Sequence, residues 1–290
     1  LPWINRMKWF EERLYEDSAG GSYAQRFKID RILCDEVTKF QQIMIFETPF
    51  FGRVLALDGI IQITERDEFS YHEMLAHVPI MDHGNVKKVL IIGGGDGGVL
   101  KEVLKHKKIE RVTLVEIDAR VIELCKLHLP SVNSGAFESS RVDILIENGF
   151  DFVSTNRNLF DLIIVDSTDP SPSSKLLFSR KFFESCQACL APKGIFVNQN
   201  GVPFLQSYQF KNTSDIIQHI FVYPRFYYVA VPTYVGGHMA LGHFSDSNYS
   251  NEDIDKIIRR FQQTELDTCY YNPDIHQSAF AAPNFISNLA

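Results

Sequence analysis

Asp96, Asp166 and Asp169 pose the chemical question in this sequence. In VLIIGGGDGGVLKEVL, residues 89–104, Gly93, Gly95 and Gly98 satisfy the spacing G-x-G-x-x-G, and Asp96 stands inside it. Glycines so spaced after a strand let the chain turn tightly and bring backbone N–H groups close to a ligand, the usual cradle for a pyrophosphate. A carboxylate in that loop repels a phosphate at the following helix N-terminus, so the loop asks for a different ligand. Downstream, VDSTDP sets Asp166 and Asp169 three residues apart. Carboxylates crowded into one crevice raise each other's pKa and call for a cation. No histidine or further acid stands at obvious metal-ligand spacing, so the expected cation is an amine and no metal is expected. Glu116, 18 residues after Gly98, closes a strand where an acid accepts both hydroxyls of a ribose. Glycine loop and acid together specify a nucleoside, without choosing among NAD, S-adenosylmethionine and its relatives.

These residues share a crevice only if the elements bearing them align. Strand candidates at Val89–Ile92, Val112–Glu116, Val142–Ile146, Leu162–Asp166, Ile195–Gln199 and Phe226–Val231 alternate with helical stretches. Such alternation predicts a doubly wound parallel sheet, whose ligands bind beyond the carboxyl ends of the strands. Those ends carry Gly93 to Asp96, Glu116, Glu147 to Gly149, Asp166 to Asp169, and Gln199. From about residue 22 to 63 the text is strand-like, with breaks at Pro49, Gly52 and Asp58-Gly59, which predicts a small antiparallel β domain. Thr64 and Asp67 then open a helix with Phe69, Leu75 and Val78 on one face, ending before Pro79. The expected organisation is an N-terminal β domain over 1–66 and a Rossmann-like catalytic domain over 67–290. Ser167–Ser174 is the one stretch resembling a low-complexity loop.

Composition narrows the partners. The 290 residues are 45% hydrophobic and carry a net charge of −7 with no basic run, which argues against nucleic acid and anionic membrane as main partners. Cys34, Cys125, Cys186, Cys189 and Cys269 form no disulfide framework, and Cys186-x-x-Cys189 lacks a second pair, so a structural role in a helix is expected there. No apolar run reaches the roughly 18–20 residues of a membrane span, and no signal-like segment is evident. A cytoplasmic location is expected.

In order along the chain, LALDGIIQITERDEFSYHEM, VLIIGGGDGGVLKEV, LVEID, DSTDP, VPTY and YYNPDIHQSAFA closely resemble the spermidine synthases, aminopropyltransferases of the bacterial type. The likeness runs from Trp9 onward, and the ordered set is far more specific than the glycine loop alone. It implies a Rossmann-like sheet of the S-adenosylmethionine-dependent methyltransferase type behind the small β domain. It also implies a reaction in which the amine of putrescine attacks the methylene beside the sulfonium of decarboxylated S-adenosylmethionine, giving spermidine and 5′-methylthioadenosine without a prosthetic group. The decarboxylated co-substrate ends in a bare ammonium where S-adenosylmethionine carries a carboxylate, so Asp96 would bind the first and repel the second.

By the same resemblance Glu116 holds the ribose, aided by Gln41, and Asn148-Gly149 meets the adenine beside the Gly93 and Gly95 turn. Asp166 resembles the general base and Asp169 a substrate-orienting acid. Tyr71 and Tyr234 hydrogen-bond the amine, His72 helps hold the aminopropyl end, Gln62 supports the pocket, and Trp9 walls the tunnel around putrescine's methylenes. Two departures fall on the adenine side. Asn148-Gly149 stands where Asp-Gly is common, and Ser171-Pro172-Ser173 replaces x-Gly-Pro after Asp169-Pro170. The family forms homodimers or homotetramers. Rival readings are an aminopropyltransferase for cadaverine, agmatine or spermidine, a methyltransferase on the same sheet, and a non-catalytic polyamine-binding relative.

Overall fold

The computed structural model describes residues 8–14, 22–170, 174–250 and 253–289. Ser171, Pro172 and Ser173 lie outside the described residues. The N-terminal strands form two small antiparallel sheets. One pairs β1 (Lys8–Leu14) with β2 (Tyr23–Ile29); the other runs in order through β3 (Arg31–Val37), β4 (Gln42–Thr48), β5 (Gly52–Leu57) and β6 (Ile60–Thr64). Between β5 and β6 the chain reverses on Asp58-Gly59 alone, with φ of 50° and 79°. Two consecutive positive φ values make the tight turn whose twist matches that of a hairpin, and Asp-Gly is among the pairs that adopt it readily. Phe10 of β1 stacks on Phe46 of β4 with centroids 4.9 Å apart, joining the two sheets over one apolar seam.

Helix α1 (Glu68–His83) differs from its sequence reading in three ways. It runs through Pro79 and stops at Gly84, whose φ of 73° ends it. It is buried on nearly every side rather than along one face, because it threads between the large sheet and its covering helices; that burial outweighs the hydrogen bond lost at Pro79. Asp67 precedes it but makes no side-chain cap. Its carboxylate instead accepts from Thr64 Oγ1 at 2.6 Å and from Thr233 N and Oγ1 at 2.9 and 2.7 Å.

Seven strands make the large sheet: β7 (Lys88–Gly93), β8 (Arg111–Glu116), β9 (Val142–Ile146), β10 (Phe160–Asp166), β11 (Leu190–Gln199), β12 (Tyr223–Ala230) and β13 (His238–Ser245), in spatial order β12-β13-β11-β10-β7-β8-β9. Strands β7 to β11 pair in parallel, as the alternation predicts, whereas β13 runs antiparallel to both its neighbours, so the sheet is mixed. The predicted helices fill the crossovers: α2 (Gly98–Leu104), α3 (Ala119–His128), α4 (Gly149–Thr155) and α5 (Arg180–Cys189), followed by α6 (Ser207–Ile217) and α7 (Ile254–Thr264). Val89, Leu90 and Ile91 of β7 and Leu162, Ile163 and Ile164 of β10 are wholly buried, the continuous apolar text of strands covered on both faces. Cys186 and Cys189 are buried in the core beneath this sheet. Among the described residues no helix is long and apolar enough to cross a membrane.

The chain leaves β7 toward β8 and β9, then returns to β10 on the other side, so the strand order reverses between β7 and β10. Register at this switch point is direct: Asp166 pairs with Gly93, and Gly94 N donates to Asp166 O at 2.9 Å. A crevice opens at such a point in an α/β sheet.

Candidate active site

A cavity of about 200 Å³ lies over that crevice, between the large sheet and the small ones. Its walls bring together Gln41, Gln62, Tyr71, Gly93, Gly95, Asp96, Glu116, Asn148, Gly149, Asp166, Asp169 and Tyr234, most of the residues singled out in the sequence. His72 sits directly behind the wall, with Nε2 3.5 Å from Asp96 Oδ1.

Trp9 stands apart. Strand alternation turns Phe10 and Glu12 of β1 inward, so Trp9 faces out, 44% exposed, with the Arg26 guanidinium 5.4 Å from its ring centroid. Its expected place in the tunnel wall is therefore corrected. Glu12 takes the inward position and was missed. It is 2% exposed, accepts from Ile61 N at 2.8 Å and from Gln25 Nε2, and lines the cavity. Burial pushes its pKa up to about 7. A Glu in phase with a Phe on a two-faced strand was the available signal.

On the nucleoside side, buried Glu116 accepts from Asp118 N through Oε1 at 2.9 Å, and desolvation pushes its pKa up to about 7. Gln41 is held beside it by Asp118, whose Oδ2 accepts from Gln41 Nε2 at 3.3 Å and from Thr38 Oγ1 at 2.7 Å. Asn148 caps α4, its Oδ1 accepting from Phe150 N at 2.8 Å. That bond fixes the amide so that Nδ2 is the end free to meet a ligand. The group offered is thus a donor suited to a purine ring nitrogen.

On the charged side, Asp166 Oδ1 accepts from Tyr71 Oη at 2.8 Å, while its Oδ2 is buried without a hydrogen-bond partner among the described residues. Burial first and the Asp96 carboxylate second push the Asp166 pKa up to about 6. Tyr234 packs edge-on to Tyr71, with centroids 5.8 Å apart, and donates its hydroxyl to Gln62 O. Among the described residues Asp169 is held by amides, Gln206 Nε2 at 2.7 Å and Gln199 Nε2 at 3.2 Å; burial raises its pKa above the ordinary carboxylate range. Gln199 figures in the sequence reading only as a strand end and Gln206 not at all, because only the fold brings the end of β11 and the start of α6 to that loop.

A ring nitrogen of His72 and one oxygen each of Asp96 and Asp166 lie within 4.8 Å of one another. One small cation can touch all three, and an ammonium, with three N–H donors and no acceptor, matches such a set. On the other edge, His72 Nδ1 is 2.6 Å from Glu68 Oε2, and Glu68 Oε1 accepts from Lys101 Nζ at 2.7 Å.

The mixed seven-stranded sheet with its reversed strand, and the strand-end crevice with a buried acid at its edge, define a methyltransferase-like α/β protein. Residues 68–254 match the family described as the spermine/spermidine synthase domain, and residues 8–65 match the spermidine synthase tetramerisation domain. Polyamine aminopropyltransferases of Pseudomonas syringae pv. tomato and Pseudomonas aeruginosa are each 46% identical over 278 residues, covering 96% of both chains. A solved spermidine synthase in complex with the transition-state analogue AdoDATO superposes with a TM-score of 0.91 at 37% identity, covering 100% of this chain and 96% of that one. The chain belongs to the spermine/spermidine synthase family and is an enzyme of the aminopropyltransferase type.

Proposed function

We propose that the enzyme is a spermidine synthase, transferring the aminopropyl group of decarboxylated S-adenosylmethionine to putrescine. The observation that carries this reading is Asp166, with one oxygen fixed by Tyr71 and the other buried, unpartnered among the described residues and facing the Asp96–His72 corner. The nucleoside lies along β8 and α4, its ribose on Glu116 and Gln41 and its adenine against Asn148 and Gly149, and its aminopropyl ammonium enters the His72–Asp96 corner. Putrescine lies along the Tyr71–Tyr234 wall, with Asp169 beside it and its far ammonium toward Glu12.

An amine with a pKa near 10.4 is protonated at neutral pH, so Asp166 takes a proton from the near nitrogen. That nitrogen's lone pair then forms a bond to the methylene carbon as the carbon–sulfur bond breaks, and its electron pair neutralises the sulfonium. The leaving group is already excellent, so alignment dominates; up to roughly 7–11 kcal/mol is available from proximity and orientation. Glu12 supports a diamine over a monoamine, because its buried acid finds a cation only in a molecule charged at both ends. A homodimer or homotetramer, a cytoplasmic location and a boundary between residues 66 and 67 belong to the same reading.

The test is release of 5′-methylthioadenosine by the purified protein from decarboxylated S-adenosylmethionine, with putrescine, cadaverine, agmatine or spermidine in turn. The expected result is a kcat/KM for putrescine at least tenfold above the others. Preference for another amine would move the substrate, and no release with any amine would overturn the reading.

A further inference from the structure

His72 has an arrangement that ligand binding alone does not require. Its ring is fully buried among three carboxylates: Glu68 from its own helix, Asp96 from the glycine loop and Asp166 from β10. Tyr71 adjoins it on α1, with centroids 5.4 Å apart, and Lys101 reaches the cluster only through Glu68. The ring lies so close to α2 that a Cβ on Gly98 would stand 2.1 Å from its Cε1, so it has no room to move on that side. Glu68 occupies Nδ1, and Nε2 is buried with no hydrogen-bond partner among the described residues.

We propose that Glu68 is a positioning residue that keeps the proton on His72 Nδ1, and that a second proton on Nε2 serves as the resting cation of the empty site, surrendered when a ligand ammonium enters. The inference rests on the aminopropyl-binding role of this corner given above. A protonated imidazole facing Asp96 and Asp166 supplies the positive charge those acids need. An incoming ammonium brings its own charge to the same acceptors, and two cations in one buried corner repel. Because Glu68 and Lys101 hold the Nδ1 side, the proton lost is the one on Nε2, which leaves to solvent, and the exposed lone pair accepts an N–H of the ammonium. Burial works against charge on His72, but Asp96 and Glu68 outweigh it and raise its pKa to about 9, consistent with a resting imidazolium.

The discriminating measurement is calorimetric titration of the whole enzyme at pH 7.5, in phosphate and in Tris, with decarboxylated S-adenosylmethionine and separately with 5′-methylthioadenosine. The second ligand lacks the aminopropyl ammonium, so it subtracts any proton moved at Glu116; Asp166, at about 6, is already ionised at this pH. The expected result is release of about one proton with the first ligand and essentially none beyond the Glu116 contribution with the second. Affinity for the first should rise up to tenfold per pH unit between pH 7 and 9, while that for the second changes only near pH 7, where Glu116 titrates. Glu68→Gln should abolish the difference between the two ligands, yet bind 5′-methylthioadenosine as the parent does. Equal proton release for both ligands in the parent overturns the inference without any variant. Failure of the parent to bind either ligand instead overturns the proposed function.

Discussion

Asp166 joins two demands on one carboxyl group. Burial and Asp96 raise its pKa from 3.8 to about 6, so the folded chain holds a proton there that the unfolded chain releases. Between those values stability falls as pH rises, and above about 6 the ionised group is a standing destabilisation. The same ionised form is the competent base, so kcat/KM should decline as pH drops through about 6. Asp166→Asn keeps an acceptor for Tyr71 and removes the charge. Its kcat is expected to fall about 10²–10⁴-fold, while its Tm at pH 7.5 rises by about 2–4 °C. Calorimetry and initial rates on one preparation check both, and a loss under tenfold removes Asp166 from the base's role. Asp96, Asp166 and Asp169 are legible in the sequence because each stands at a strand end or in a glycine turn. Glu12 is harder to read, since its partner Ile61 is 49 residues away and the local mark of its burial is no more than its phase with Phe10 on β1.

At the level of elements, strands were easier to read than the helix joining the two regions. Apolar runs of β-branched residues announce β7, β8 and β10 directly, but β13, HMALGHFS, has polar residues inside it and lacks such a run. Helix α1 defeats periodicity because it is buried all round. Its far end holds an ion cluster: Asp82 Oδ1 accepts from His276 Nε2 at 3.0 Å, and His243 Nε2 stands 3.1 Å from Oδ2. Burial opposes the charge on Asp82, yet the two imidazoles outweigh it and hold its pKa far below the usual carboxylate range. Its contribution to stability is therefore complete above about pH 4 and lost as pH falls through the depressed value. Asp82→Asn should destabilise by about 3–5 kcal/mol, read from urea unfolding at pH 7. At the other end, Gly98→Ala sets a methyl against the His72 ring. It should cost about 1–3 kcal/mol of stability and weaken decarboxylated S-adenosylmethionine more than 5′-methylthioadenosine; equal weakening would show that the ring has not been displaced.

Across the whole molecule, the cavity belongs to neither the small sheets nor the large one. Asp118, at the end of β8, accepts from Thr38 and Gln41 of the β3–β4 connection, and Asp67 holds Thr233 beside Tyr234. Thr38→Val removes one of these ties and should raise the Kd for 5′-methylthioadenosine about 2–10-fold, the equivalent of one hydrogen bond, with little change in kcat; an unchanged Kd would mean Gln41 needs no such support. The strand-end rule made this convergence partly foreseeable, but the ties themselves span 80 and 166 residues, and no local pattern encodes them. The turn at Asp58-Gly59 gives the assembly a finite chemical lifetime. An aspartate followed by glycine allows the next backbone nitrogen to attack the side-chain carboxyl, losing water. Water then reopens the ring with the chain running through the former side chain. The mass is unchanged, but the backbone has gained a carbon inside a two-residue turn that sets the register of β6. That strand carries Gln62 and the Ile61 N–H that holds Glu12. Protein aged at 37 °C should therefore lose activity in step with isoaspartate at residue 58, and a Gly59→Ala preparation should age more slowly; inactivation at equal rates would place the lesion elsewhere.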